Sequence, residues 1–305
     1  MSYAIYDVVE EYGRTYHSYK EGIYVLPNDA EEQERLDYQH YLFRKSLKGA
    51  LHLAPIISNP QNVLDVATGT GLWAIEFAEE HPGCAVIGTD LSPIQPEYVP
   101  PNVAFEIMDA EDEWTFRQQF DLIHFRSIAS CFKDTQRVFQ NALKNLVPGT
   151  GYMFILDPLL PWKFLTPPPD DCAIVEWTNL VIEAGTKIGM PWDRGRKYAN
   201  WMKEIGFVDV VERVDVCPFS PWAKGKHLKE LSLILQSNVC HGIEGLSLAL
   251  FTRVLGWSKE RLDSLLERVR KELKDKSIHV YAEAIIVCGR RPYFDEAATH
   301  SQASH

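Results

Sequence analysis

Basic residues are in short supply in this 305-residue chain: 31 Lys and Arg face 42 Asp and Glu, giving a formal charge of −11 and a pI near 5.4. A surface of that sign repels phosphate backbones, so no direct nucleic-acid partner is expected. Cysteine is scattered, at 84, 131, 172, 217, 240 and 288, without any C-x-x-C pair. That pattern offers neither a zinc knuckle nor a disulfide framework, and no metal is expected. No apolar run reaches the roughly 18 residues of a spanning helix, so no membrane is expected. Met1-Ser2-Tyr3-Ala4 lacks the basic patch and apolar core of a secretory leader. A soluble, cytoplasmic protein with reduced thiols is the expectation. With 46% of its residues apolar, the chain can bury an α/β core and keep residues for a lid or cap.

What is present centres on Asn62 to Ala74, NVLDVATGTGLWA. Val63, Leu64 and Val66 form a short apolar run that stops at Gly69 and Gly71, and a helix-forming segment follows from Leu72 to Glu79. Strand, tight turn and helix in that order point orphan amides and a partial positive charge at whatever occupies the turn, which suits a nucleotide-like ligand. Gly69, Gly71 and Ala74 also satisfy the dinucleotide pattern G-x-G-x-x-A. A second strand, Ala85 to Thr89, ends at Asp90, the right distance on for a carboxylate that accepts from two ribose hydroxyls. Asp65, inside the strand end, can order the turn or receive a cationic ligand group, which a nicotinamide cofactor does not need and a ligand with an ammonium and a sulfonium does.

Asp65 to Gly71, Asp90, Asp109-Ala110 and Leu146 to Tyr152 (LVPGTGY) resemble the successive motifs of class I S-adenosylmethionine-dependent methyltransferases. Leu26-Pro27-Asn28-Asp29, Leu91 to Pro96 (LSPIQP) and Leu248 to Trp257 are similar to the LaeA-like methyltransferases of fungal secondary metabolism, a likeness running from about Tyr16 to Pro292. The resemblance implies a Rossmann-like, doubly wound, mostly parallel sheet with a helical N-terminal lid and a helical insertion before the last strand. It implies S-adenosylmethionine as cofactor, bound by Tyr16, Asp65, Ala67, Thr68, Gly69, Gly71, Asp90, Leu91, Asp109, Ala110 and Arg126. Two departures stand out. Ala67 takes the place of the loop's usual first glycine and adds a methyl near the ligand. Phe154 and Leu156, before Asp157, stand where the family often carries polar residues.

Taken in order, residues 1–55 read as lid and first helix, 56–292 as the methyltransferase domain, and 293–305 as a frayed tail. Tyr3, Tyr6, Tyr12, Tyr16, Tyr19 and Tyr24 stud an arm with little periodicity, and Tyr16 and His17 are its members nearest a cofactor by the family likeness. Asn28 or Asp29 caps a helix with Leu36, Phe43, Leu47, Ala50 and Leu51 on its inner face, up to the break at Pro55. Strands then recur at Val103 to Met108, Asp121 to Arg126 and Tyr152 to Leu156, with a helix from Thr135 to Leu146. Pro158 to Trp162 and Pro167 to Asp171 are too rich in proline for an interior element and read as surface loop, opening a cap at about 158–205. A second insertion, about 222–276, holds two apolar helices around Leu228–Leu235 and Leu246–Val254 and a third, amphipathic one from Leu262 to Val269. These helices either shape an acceptor site or bury a homodimer interface.

Methyl transfer needs the nucleophile held near the methyl carbon with water excluded, and no covalent intermediate. An oxygen acceptor wants a base, for which His17, His124 and Asp157 are the catalytic candidates, with Asp193 and His241 as further ones. Trp177 and Trp192 can wall an acceptor pocket, and Asp193 and His241 join them as substrate-binding candidates. His124 also reads as a packed core histidine, since its strand is buried on both faces. The leading expectation is methyl transfer to an oxygen or nitrogen of a small fungal natural product. The alternatives are a LaeA-type regulator acting through protein partners, nuclear in that case, a methyltransferase-fold enzyme catalysing a rearrangement without methyl transfer, and a nicotinamide dehydrogenase.

Overall fold

The computed structural model describes residues 8–17, 25–294 and 296. Tyr3, Tyr6, Tyr19, Tyr24 and most of the expected tail lie outside the described residues. The first described element is a hairpin, β1 (Val8–Glu11) and β2 (Arg14–His17), turning through Tyr12 and Gly13 at φ 51° and 78°. The arm of little periodicity, expected by resemblance to be a helical lid, is in this stretch a regular antiparallel hairpin. The Arg14 guanidinium grips Asp29 at 2.6 and 2.8 Å, and Asp29 in turn accepts from the Glu32 amide as N-cap of α1 (Ala30–Ser46). One carboxylate thus caps the helix and ties the hairpin to it. The helix stops at Ser46, earlier than Leu51, because Lys48 and Gly49 turn left-handed at φ 57° and 93°.

Seven strands follow in one sheet: β3 (Asn62–Val66), β4 (Ala85–Asp90), β5 (Val103–Ile107), β6 (Leu122–Arg126), β7 (Tyr152–Phe164), β8 (Val208–Pro218) and β9 (Val280–Arg290). Their order is β5-β4-β3-β6-β7-β9-β8, and only β9 runs antiparallel to its neighbours. From β3 the chain winds first towards β5 and then, starting again at β6, towards the other edge. The crevice belongs at that reversal, outside the carboxyl ends of β3 and β6. Side chains alternate across the sheet as period two requires. Leu64, Val66, Ile123, Phe125 and Ile155 face Val138 and Phe139 of α3 (Thr135–Asn145) and Tyr198 and Met202 of α5 (Tyr198–Ile205). Val63, Leu122 and Phe154 face Trp73 and Phe77 of α2 (Leu72–Glu80), with Phe43 and Leu47 from the α1 end behind them.

Two sequence expectations fail for physical reasons. Pro158 to Trp162 is not a surface loop: β7 runs on through it to Phe164, with a register shift between Leu159 and Lys163 and a cis Leu160–Pro161 bond. β6 ends at Arg126, opposite Leu156, so beyond that point only the β9 side of β7 carries a ladder, and prolines are tolerated as on an edge strand. The two apolar helices of the insertion are one, α6 (Lys226–Ala249), prolonged by a π-helical turn at Leu250–Val254. Gly242 and Gly245 sit inside it without breaking it. A Cβ at 242 would lie 2.0 Å from Arg35 Cδ and one at 245 would lie 3.2 Å from Arg14, so both glycines let the helix approach α1 and the hairpin.

The cap is completed by α4 (Ala173–Lys187) and α7 (Lys259–Lys274). Leu262, Leu265, Leu266, Val269 and Leu273 bury one face of α7, each contributing about 1.5–3 kcal/mol. No residue of α4 caps its own amino end. Glu272 of α7 does so instead, accepting from the amides of Ala173 and Ile174 at 2.9 and 3.0 Å.

Candidate active site

The loop after β3 carries three left-handed residues in five: Ala67 at φ 56°, Gly69 at 61° and Gly71 at 81°. Ala67 is the residue that has to be forced, since a Cβ disfavours that region. The forcing comes from hydrogen bonds. Thr68 N donates to Thr89 O at 2.9 Å, and Gly69 N donates to Asp90 Oδ2 at 2.8 Å. The Gln95 amide reaches back to Gly69 O at 2.6 Å and Ser92 O at 3.0 Å, which explains a glutamine in the LSPIQP block. Asp65 completes the set. Its Oδ2 accepts from Thr68 Oγ1 and its Oδ1 meets His124 Nδ1, both at 2.6 Å.

Asp65, Ala67, Thr68, Gly69, Thr89 and Asp90 line a narrow cavity of about 90 Å³ at the sheet's reversal, together with Leu91, Asp109, Ala110 and Arg126. Both oxygens of Asp90 accept one backbone amide, from Gly69 and from Ser92 at 2.9 Å, and each keeps a second lone pair for a ligand hydroxyl. Burial pushes its pKa up to about 6 against the lowering effect of those amides. Asp109 Oδ1 accepts from the Glu111 amide at 2.9 Å on the far side of the cavity. Burial brings the Arg126 guanidinium down to about 10, so it remains a cation, and it lies 5.4 Å from the Phe43 ring. A diol acceptor at Asp90, a second acid at Asp109, open backbone at Gly69 and a cation at Arg126 fit an adenosyl group carrying an amino acid.

A larger cavity of about 460 Å³ opens beside the first, between α1, α6 and the β7–β9–β8 end of the sheet. Leu231, Leu235, Trp162, Trp177 and Trp192 give it apolar walls. The two cavities share Leu36, Gln39 and Ser127.

Residues 38–212 match the methyltransferase domain family. The chain is 35% identical to the methyltransferase pytC of Aspergillus terreus over 93% of its own length and 88% of that protein's. It is 33% identical to the secondary metabolism regulator LAE1 of Cochliobolus heterostrophus over 92% of its own length and 94% of that protein's. The chain belongs to this methyltransferase family. The YcgJ protein of Bacillus subtilis, at 15% identity, superposes with a TM-score of 0.51 over 83% of this chain and 99% of that one, a likeness of fold. S-adenosylmethionine is the methyltransferase's cofactor, and the reaction is methyl transfer.

Several residues singled out from the sequence sit elsewhere in the methyltransferase. Tyr16 does not line the cofactor cavity; its ring lies under the Arg253 guanidinium at 4.5 Å, and burial raises its hydroxyl to about 12. His17 is buried beside it in β2, away from both cavities. Gly71 is also absent from the cavity wall, and a Cβ there would meet the Phe105 ring at 2.4 Å, so the second glycine admits a phenylalanine rather than a ligand. His124 stacks on Trp73 at 3.7 Å with Nδ1 on Asp65, and burial lowers its pKa, so it is a packed core histidine and no base. Asp157 lies against the larger cavity but has 0% exposure, with Oδ2 taking the Tyr198 hydroxyl at 2.7 Å. Burial raises it to about 7. So enclosed, the carboxylate joins β7 to α5. Trp177 and Trp192 do line the larger cavity, whereas Asp193 and His241 are exposed and lie outside it. The sequence reading missed Gln39 and gave Leu36 only a packing role. The helix of Leu36 and Gln39 carries no motif, and only tertiary packing lays it across the strand ends.

Among the described residues, no helix is long and apolar enough to cross a membrane.

Proposed function

We propose that the methyltransferase acts on a small, largely apolar molecule bound between α1, α6 and the sheet, its reacting atom placed at the opening shared by Leu36, Gln39 and Ser127. The observation that carries this is the continuity of a polar, acid-lined cavity with a tryptophan-walled one. When bound, S-adenosylmethionine supplies a methyl group on a sulfonium. The chain's part is to orient and to dry. Asp90 accepts from the ribose hydroxyls, Asp109 and Ala110 flank the base, and Arg126 takes the carboxylate of the amino acid end. Leu36 and Leu42 from α1 and Leu231 and Leu235 from α6 exclude water over the opening. Both walls come from one chain, so the site does not require a homodimer.

The test is incubation with labelled methyl donor and fungal small-molecule extract, followed by mass spectrometry. Label is expected in a low-molecular-weight product, and Asp90→Ala is expected to abolish it; label incorporated equally well by that variant would refute the assignment. The likeness to LAE1 supports a second reading, regulation through protein partners. It predicts stable capture of a protein and no labelled small molecule.

A further inference from the structure

Ser127 is anomalous in three independent ways. It follows Arg126 at the carboxyl end of β6 and holds φ at 57°, a left-handed conformation that a serine adopts only under constraint. The constraint is visible: its amide donates to Leu156 O at 3.0 Å and its carbonyl accepts from Cys131 Sγ at 3.7 Å. Its own hydroxyl is buried and has no hydrogen-bond partner. Third, among the described residues it is one of three, with Leu36 and Gln39, that line both cavities. An unsatisfied hydroxyl on a strained residue at the meeting point of donor and acceptor sites marks a place that a ligand completes.

Among the described residues, none of the three shared by the two cavities is a base. His124 is locked on Asp65, and His17, Asp193 and His241 lie away from both cavities; of the groups lining the acceptor cavity, Asp157 is enclosed beneath Tyr198, Asp215 and Glu283 are paired with Arg213 and Arg196, and His227 is exposed at the amino end of α6. What the shared residues present is a hydroxyl and the Gln39 amide, beside the place where the cofactor's sulfonium would lie. Hydroxyl and amide donors beside a cation stabilise a negative oxygen and disfavour an ammonium.

We propose that the acceptor is an acid already ionised in water, a carboxylate or an acidic enolate on an apolar frame, and that Ser127 is the residue that donates a hydrogen bond to it and fixes its oxygen at the junction. This rests on the methyl-transfer reading above. A lone pair of the anionic oxygen forms the new bond to the methyl carbon as the carbon–sulfur bond breaks with its electron pair going to sulfur. Anion and sulfonium become a neutral ester or enol ether and a neutral thioether, and no proton needs a carrier.

The experiment is calorimetry on the full chain saturated with S-adenosylhomocysteine, titrated with three probes of one frame: 2-naphthoate, 2-naphthol and 2-naphthylmethylamine. Naphthoate is expected to bind at least about tenfold more tightly than the other two, and Ser127→Ala to lower its affinity about tenfold, a larger loss than for naphthol or for S-adenosylhomocysteine. Ser127→Gly, which relieves the left-handed strain, is expected to show the same loss and guards against misfolding of the alanine variant. Equal or tighter binding of naphthol or the amine, no binding of any probe, or naphthoate affinity indifferent to both variants would each overturn the proposal. Failure to bind S-adenosylhomocysteine itself would instead strike the methyl-transfer reading, and the proposal with it.

Discussion

Asp65→Ala separates two roles that a strand-end acid can play. Asp65 is 3% exposed, and its two oxygens each hold one partner at 2.6 Å, Thr68 Oγ1 and His124 Nδ1. Removing the carboxylate leaves a buried hydroxyl and a buried imidazole N–H without acceptors. Hydrogen bonds to a charged group contribute about 1.5–3 kcal/mol each. Deleting one side of a buried pair costs about 3–5 kcal/mol. The cofactor-free protein should therefore lose about 3–5 kcal/mol, read as a lower urea midpoint with unchanged slope in tryptophan fluorescence. Asp65→Asn can still accept from His124 and exchange a hydrogen bond with Thr68, and should cost about 1–2 kcal/mol. A loss under about 1 kcal/mol for the alanine variant, coupled to a large fall in S-adenosylhomocysteine affinity, would show that Asp65 serves the ligand and not the turn.

Gly71→Ala places a methyl 2.4 Å from the Phe105 ring at φ 81° and should destabilise the ligand-free fold by about 2–4 kcal/mol, partly restored by adding Phe105→Leu; chemical denaturation checks both. The raised pKa of Asp157, about 7 against an ordinary 3.8, means the folded state keeps a proton that the unfolded chain releases. Stability from this group is complete below about pH 4 and is lost as pH rises through about 7. Asp157→Asn should accordingly gain on wild type as pH rises from 4 to 8, and unfolding midpoints that track in parallel would contradict this. Glu272→Ala uncaps α4 and should cost about 1–2 kcal/mol, with faster amide exchange at Ala173 and Ile174 as its local signature.

Much of the fold could be read along the chain because its causes are local. Apolar runs closed by Gly69 and Gly71, the acid at Asp90 and the Asp29 cap are short-range events, and they marked out the sheet, the glycine turn and α1 without knowledge of any distant contact. The site was harder where a residue's role depends on what packs against it. Gly71 looks like a ligand glycine until Phe105 is seen beside it, and His124 looks like a base until Trp73 and Asp65 enclose it.

What the sequence determined by itself is therefore the wound sheet and the order of its ligand-facing ends, since alternation and glycine turns act over a few residues. Only the tertiary structure decided which candidates line the two cavities. Burial and partner identity depend on elements far apart in the chain: α1 brings Gln39 to Ser127, α7 caps α4, and Tyr198 closes over Asp157. A side chain's protonation and reach follow from that enclosure, and no local pattern encodes it.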